Sequence, residues 1–369
     1  MKKFLFSNCI KIQDVLFAVG IFAGLPAQID LSDGRVTYCD MMKGLISREK
    51  ATVIDCLDCF ENKVYALDSG EDNLIIWDMA ALQCRYIPLG CRRPSWIHFI
   101  ALERYRSDYY IFPKYENKIW VFHTDKNEIT EIRGYLDHFR EAQCACRVDN
   151  NVWILPKDAD VLYCYDLSEG TKNRYDLNTV VRECVDAVFY DGCIYILNMF
   201  GIIYQWNIEK KELQEITATE TVHDKKMSVG RIVYAGNKLI LLPAYGSDIT
   251  ILDLQTEKAE IYQDYPDDYD DRTEWLKYYG YCEDETYCYF AACAANYLLK
   301  IDKRSGALLW MKPKTDSLGG KTIDSLAKKV VYESNWELTD LFEITPMDPC
   351  YSAGMNIGKE IYDRVGRTG

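Results

Sequence analysis

Histidine is scarce in this chain: four residues in 369 leave little imidazole for metal ligation or acid and base work. Positive charge is also in deficit, with 43 Lys and Arg against 57 Asp and Glu and a formal net charge of −14. Such a surface repels nucleic-acid phosphates and anionic lipid headgroups, so a nucleic-acid role is disfavoured. No segment reaches the roughly 18 uninterrupted apolar residues expected of a membrane-spanning helix. Nucleophile elbows, zinc-protease helices, Walker loops and dinucleotide-binding glycines are all missing, which removes those catalytic classes. No cofactor is expected.

What is present describes a soluble chain able to bury a large core, 49% hydrophobic and 27% charged. The 15 cysteines are odd in number, and most lie inside apolar, strand-like runs such as "ETYCYFAAC". They read as buried thiols rather than a disulfide framework, and point to the cytoplasm. The alternative is secretion. The start "MKKFLFSNCIKIQDVLFAVGIFAGLPAQ" has the lysines, apolar run and small residues of a secretory signal. Against it, Lys11 and Asp14 interrupt the apolar stretch, and the following "AQIDLSDG" already belongs to a repeat.

That repeat is an apolar pair meeting Asp, Asn or His before a polar turn. It recurs in "AQIDLSDG", "NLIIWDMAALQCRYI", "IWVFHTDKNEI", "LYCYDLSEG", "YQWNIEKKEL", "ITILDLQTEKAEI" and "LLKIDKRSGALLW". Its marker residues are Ile29, Trp77, Phe122, Tyr165, Trp206, Leu252 and Ile301, spaced 41 to 49 residues apart. A blade of a propeller takes about 40 to 50 residues. Pro113, Pro156 and Pro243 each stand nine residues before a marker, at a strand end, where the missing amide donor is tolerated. Each unit reads as four short antiparallel strands joined by Gly, Asp and Asn turns.

A small sheet that is apolar on both faces cannot bury both alone, so neighbouring sheets must stack. The expected fold is all-β, a single β-propeller over residues 1–312 with a tail of short helices over 313–369. Seven markers imply seven blades. Six is the competing count, because the first unit is short of turns and the two chain ends must complete one blade between them. In the tail, Ser334 and Glu337 have the spacing of a capping box. Ile357, Ile361, Tyr362 and Val365 share one helical face. The tail either packs on the propeller or hooks a partner.

On these residues the chain resembles the β-propeller superfamily from about residue 3 to 312. Trp77-Asp78 matches the dipeptide closing WD40 blades, and "IDKRSGALLW" is similar to quinoprotein-like repeats. Kelch repeats would need paired glycines, and Gly319-Gly320 lies outside the repeats. The Pro-containing units look like those of uncharacterised propellers of anaerobic Firmicutes, some linked with surface-polysaccharide genes.

Candidate ligand-binding residues are those predicted on innermost strands, where polar groups are costly to bury: Trp96, His98, Asp186, Arg231 and Tyr281. Ordinary channel lining is their plainer reading. A second candidate is the acidic loop "YQDYPDDYDDRTEW", with Tyr265, Asp268 and Tyr269 as partner contacts. It lacks the ligand order of an EF-hand, so no metal is assigned. Cys56 and Cys59 lie three apart and diverge on a strand, and Cys144 and Cys146 supply only two ligands, short of a zinc site. His123 stands where other units have Asp and reads as structural, while His138 and His223 lie in polar loops.

The sequence therefore points to a non-catalytic propeller that binds a partner protein or a glycan, in the service of a bacterial surface-polysaccharide system. The competing class is a lyase or glycoside-processing enzyme at the channel mouth. Hydrolysis would need two facing carboxylates, and Asp186 is the only acid that can be set on an inner strand. Oligomeric state is not legible.

Overall fold

The structure is a computed structural model that describes residues 4–20, 26–38, 54–69, 72–81, 83–90, 99–136, 141–216, 229–244, 248–270, 277–278, 280–291 and 293–314. In chain order the first two sheets comprise β1 (Phe4–Ile12), β2 (Val15–Gly20), β3 (Pro26–Asp30) and β4 (Val36–Tyr38), then β5 (Ile54–Phe60), β6 (Lys63–Asp68), β7 (Asn73–Asp78) and β8 (Gln83–Pro88). Two more comprise β9 (Phe99–Tyr105), β10 (Asp108–Pro113), β11 (Lys118–His123) and β12 (Glu128–Arg133), then β13 (Ala142–Val148), β14 (Asn151–Pro156), β15 (Ala159–Asp166) and β16 (Thr171–Val181). The fifth and sixth are β17 (Cys184–Tyr190), β18 (Cys193–Asn198), β19 (Ile203–Asn207) and β20 (Glu212–Ile216), then β21 (Val229–Ala235), β22 (Lys238–Pro243), β23 (Thr250–Asp253) and β24 (Lys258–Ile261). The last is β25 (Tyr281–Glu283), β26 (Tyr287–Phe290), β28 (Leu298–Asp302) and β29 (Leu308–Met311), while β27 (Cys293–Ala295) leaves it to pair with β1.

These are seven antiparallel blades, the β-propeller expected from seven markers, and the six-blade alternative is set aside. The contacts fall into two compact units, one holding β1–β8 and β25–β29 and the other β9–β24. Among the described residues there is no helix. The tail helices expected after residue 313 fall on residues 315–369, outside the described residues.

Every marker lies on the third strand of its blade and is buried, from Ile29, Ile301 and Trp77 at 0% exposure to Tyr165 at 2%. The residue after it caps the turn. Asp78, Asp166, Asp253 and Asp302 each accept two backbone amides through Oδ1, at 2.7–3.1 Å. This local acceptor is why Asp recurs there. His123 departs from it: its ring faces Asp108 at 2.9 Å and Thr130 at 3.0 Å, within its own blade. Three of the first-to-second-strand hairpins turn on two residues of positive φ, Glu61-Asn62, Asp191-Gly192 and Gly236-Asn237. That backbone matches the right-handed twist of the flanking strands.

A further regularity was not legible in the sequence. In each of the first six blades the first strand bulges near its start, at Ser7, Asp55, Ile100, Gln143, Val185 and Gly230. Pro113, Pro156 and Pro243 sit across from the residue just before the bulge, where regular pairing ends and no amide donor is missed. Gly230 is required by close approach, since a Cβ there would come within 2.9 Å of Ala244.

The core lies between neighbouring blades. Phe17, Val19, Ala66, Ile75 and Trp77 fill one interface, and Trp153, Leu162, Ile194, Ile196 and Trp206 another. Most outer strands instead alternate toward water, as in "EITEIR" and "ELQEI". The expectation that the two chain ends share one blade is corrected. The first and last blades each have four strands of their own, and the ends are joined by β27 pairing with β1 and by a bridge between Arg35 and Lys314.

Candidate functional site

Of the inner-strand candidates, the structure brings two together. Asp186 and Arg231 each directly follow the bulge of their strand, so they are equivalent residues of neighbouring blades. Asp186 is 5% exposed. Its Oδ1 accepts from Arg231 Nη1 at 3.1 Å and its Oδ2 from the Ile232 amide at 3.0 Å. Burial pushes the Asp186 carboxyl up, against the pull of Arg231 and the Ile232 amide. Both oxygens are committed to tying β17 to β21. Tyr281 lies on β25 in the other unit, stacked on Phe290 with centroids 5.1 Å apart. Trp96 and His98 fall outside the described residues, as do His138 and His223.

The acidic loop builds a richer constellation. Tyr265 and Tyr269 meet with centroids 5.0 Å apart, and both reach Trp310 of β29, at 5.5 and 5.0 Å. Tyr269 also approaches Tyr297 at 6.2 Å, and its hydroxyl lies 3.3 Å from that of Tyr278. The loop is pinned by Asn296, which donates through Nδ2 to the Asp268 carbonyl at 2.7 Å and accepts the Asp270 amide at 2.8 Å. Asn296 is itself 1% exposed, so this anchor is internal.

Asp268 accepts the Tyr297 hydroxyl at 2.5 Å and pairs with Lys312. The Lys312 and Tyr297 donors hold the Asp268 carboxyl below its ordinary range. The same bond to Asp268 pushes the Tyr297 hydroxyl up to about 12. Lys312 Nζ in turn stands 5.5 Å from the centre of the Tyr297 ring. Tyr265, Tyr269, Tyr297 and Trp310 are all half-buried, so the rings are both supported and accessible.

The three loop residues expected from the sequence are thus joined by Tyr297, Trp310 and Lys312, which sequence reasoning missed. One signal was available: the outer strand of this blade reads "LLWM", where others read "EITEIR" or "KAEI". On this apolar outer strand Leu309 is 43% exposed.

Other candidates resolve more plainly. Cys56 and Cys59 lie on one continuous strand, β5, on opposite faces, while Cys144 and Cys146 are buried on β13. Burial pushes the Cys144 thiol well up, helped by Cys184 and Asp186. No group of three or more metal-ligating side chains occurs among the described residues. A shallow groove of about 340 Å³ lies along β16, lined by Asn173, Arg174, Tyr175, Asp176, Trp206 and Lys211. Arg174 is bonded to Asp176 at 2.8 Å there.

No protein-family model matches the chain, and no curated protein does. Solved structures do. The computationally designed protein Ika8 has a TM-score of 0.54 at 14% identity, over 83% of this chain and 86% of that one. PorZ, a surface component of the type-IX secretion system of Porphyromonas gingivalis, has a TM-score of 0.55 at 11% identity, over 85% of this chain and 39% of PorZ. The extracellular domain of a B. thetaiotaomicron one-component system has a TM-score of 0.57 at 11% identity, over 84% of this chain and 46% of that chain. This chain therefore spans less than half of either natural protein. At such identities the likeness carries the fold, a generic β-propeller.

Proposed function

We propose that the protein is a non-catalytic binding module that takes a glycan on the aromatic cluster of Tyr265, Tyr269 and Trp310. The propeller fold itself fits a binding or scaffold role. The observation that carries the finer reading is the meeting of three half-buried rings at 5.0–5.5 Å beside the Asp268–Lys312 pair. Ring faces stack on the apolar faces of sugars, and adjacent charged groups bind hydroxyls. The enzyme reading is disfavoured because Asp186, the acid on which it was built, has both oxygens engaged.

The surface and extracellular character of two neighbours supports a place in a bacterial envelope-polysaccharide system. Cytoplasmic action in such a system is supported by the buried thiols of Cys9, Cys144, Cys164, Cys184, Cys193 and Cys288. No helix among the described residues is long and apolar enough to cross a membrane.

The test is calorimetric titration of the full-length protein with a panel of neutral and acidic oligosaccharides. Trp310→Ala and Tyr265→Ala should each weaken binding about tenfold while far-UV circular dichroism is unchanged. Binding of no saccharide, or binding indifferent to both substitutions, would sink the reading. A stoichiometric protein captured through the same rings would transfer it from glycan to protein.

A further inference from the structure

The interface between the first and last blades holds two thiols in contact. Cys9 on β1 and Cys282 on β25 are 273 residues apart in sequence, yet their sulfurs are 4.0 Å apart. Cys9 is 1% exposed and also donates to the Tyr289 carbonyl at 3.5 Å. Cys282 is partly open to solvent. The same two blades are also joined by Lys11, which pairs with Asp284 at 2.5 Å, and by the Lys314 amide, which donates to the Gly34 carbonyl at 2.7 Å. The pair therefore sits at the seam where the chain's two ends are fastened together.

We infer that Cys9 and Cys282 are a disulfide-forming site, a covalent latch that a small disulfide such as oxidised glutathione can close across this seam. The less buried of the two thiols reacts first. The Cys282 thiolate attacks one sulfur of the oxidised glutathione, forming a mixed disulfide and releasing one glutathione thiolate. The Cys9 thiolate then attacks the Cys282 sulfur, forming the Cys9–Cys282 bond and releasing the second. Two protein thiols are oxidised, one small disulfide is reduced to two thiols, and the protons pass to solvent.

Geometry permits it. A disulfide needs sulfurs about 2.05 Å apart, so roughly 2 Å of closure is shared by rotation of two side chains. The Cys9 contact and burial hold the Cys282 thiol well above its ordinary range. Exchange should accordingly be slow at neutral pH and faster as pH rises. Once formed, the bond encloses almost the whole described chain, which restricts the unfolded state strongly.

The experiment incubates the folded full-length protein with oxidised glutathione, quenches with acid, alkylates in denaturant and digests with trypsin without reduction. Mass spectrometry should find residues 4–11 joined to residues 278–300. Since Cys288 and Cys293 share the second peptide, the join must vanish in Cys282→Ser and persist in Cys288→Ala. Cys9→Ala, a smaller change than the polar substitution in this buried place, should also abolish it. The oxidised wild type should melt about 5 °C above the reduced form, with no such rise in Cys282→Ser. Full alkylation of Cys9 after oxidation, a join that survives Cys282→Ser, or an unchanged Tm would each overturn the latch.

Discussion

Two blade interfaces, each inside one compact unit, are held by different means. The consecutive blades of β17 and β21 are tied by the Asp186–Arg231 ion pair, by Tyr190 stacked on Tyr234 at 3.5 Å, and by the Val229 amide donating to the Met199 carbonyl at 3.1 Å. Between β1 and β25, the first and last blades are tied by strand exchange through β27, by Lys11–Asp284, and by Gly34 and Val36 bonding Lys314. The difference has a topological cause. Consecutive blades are kept together by the peptide linking them as well as by such contacts; the first and last have no such link, and strand exchange through β27 with further backbone hydrogen bonds fills that role.

The strongest way to break the first interface is Asp186→Ala, which removes an acceptor from the half-buried Arg231 guanidinium and the acceptor of the Ile232 amide. It should cost about 3–5 kcal/mol in urea unfolding at pH 7. Replacing both partners, Asp186→Leu with Arg231→Met, should recover part of that loss, because the charge is removed with its partner and only the Ile232 amide is left without its acceptor. The second interface is best broken through its backbone. Gly34 has φ +77, and a Cβ there would meet the Lys312 carbonyl oxygen at 2.6 Å. Gly34→Ala should cost more than about 1 kcal/mol, read as a drop in Tm.

Acid sharpens the contrast. Burial opposes ionisation of Asp284, but Lys11, the Tyr287 and Thr286 amides and the Tyr289 hydroxyl outweigh it and hold the carboxyl well below its usual range. Its contribution is full above the ordinary carboxylate pKa of about 4 and is lost as pH falls further. Asp186 has the opposite sign. Its carboxyl is raised, so the cost of burying its charge is relieved as pH falls through that raised value. Stability measured from pH 7 downward should therefore fall less steeply below about pH 4 in Asp284→Asn, and lose its acid relief in Asp186→Ala. Matching slopes in both variants and the wild type would refute the assignment. The smallest effect is expected from Asp166→Ala, in an exposed turn of a blade that belongs to neither interface, with Tm lower by no more than about 2 °C.

Much of this architecture was legible. Trp77, Tyr165 and Trp206 announce the third strands because a large apolar residue followed by an amide-capping Asp or Asn is a local pattern, needing no partner elsewhere in the chain. The bulges were not, since Ser7, Asp55, Ile100, Gln143, Val185 and Gly230 share no chemistry; backbone pairing alone creates the position. The candidate site divides similarly. Tyr265, Asp268 and Tyr269 stand out as a local run, whereas Tyr297 and Lys312 reach Asp268 from 29 and 44 residues away.

By itself the sequence determined the repeat, the strand order within a unit and the polarity of most outer strands, because periodic burial and turn chemistry act over a few residues. Only the tertiary structure decided which residues face each other across blades: Asp186 with Arg231, Cys9 with Cys282, Trp310 with Tyr265. Those partners are chosen by how sheets stack, and stacking brings together residues tens to hundreds of positions apart whose local sequences carry no mark of one another.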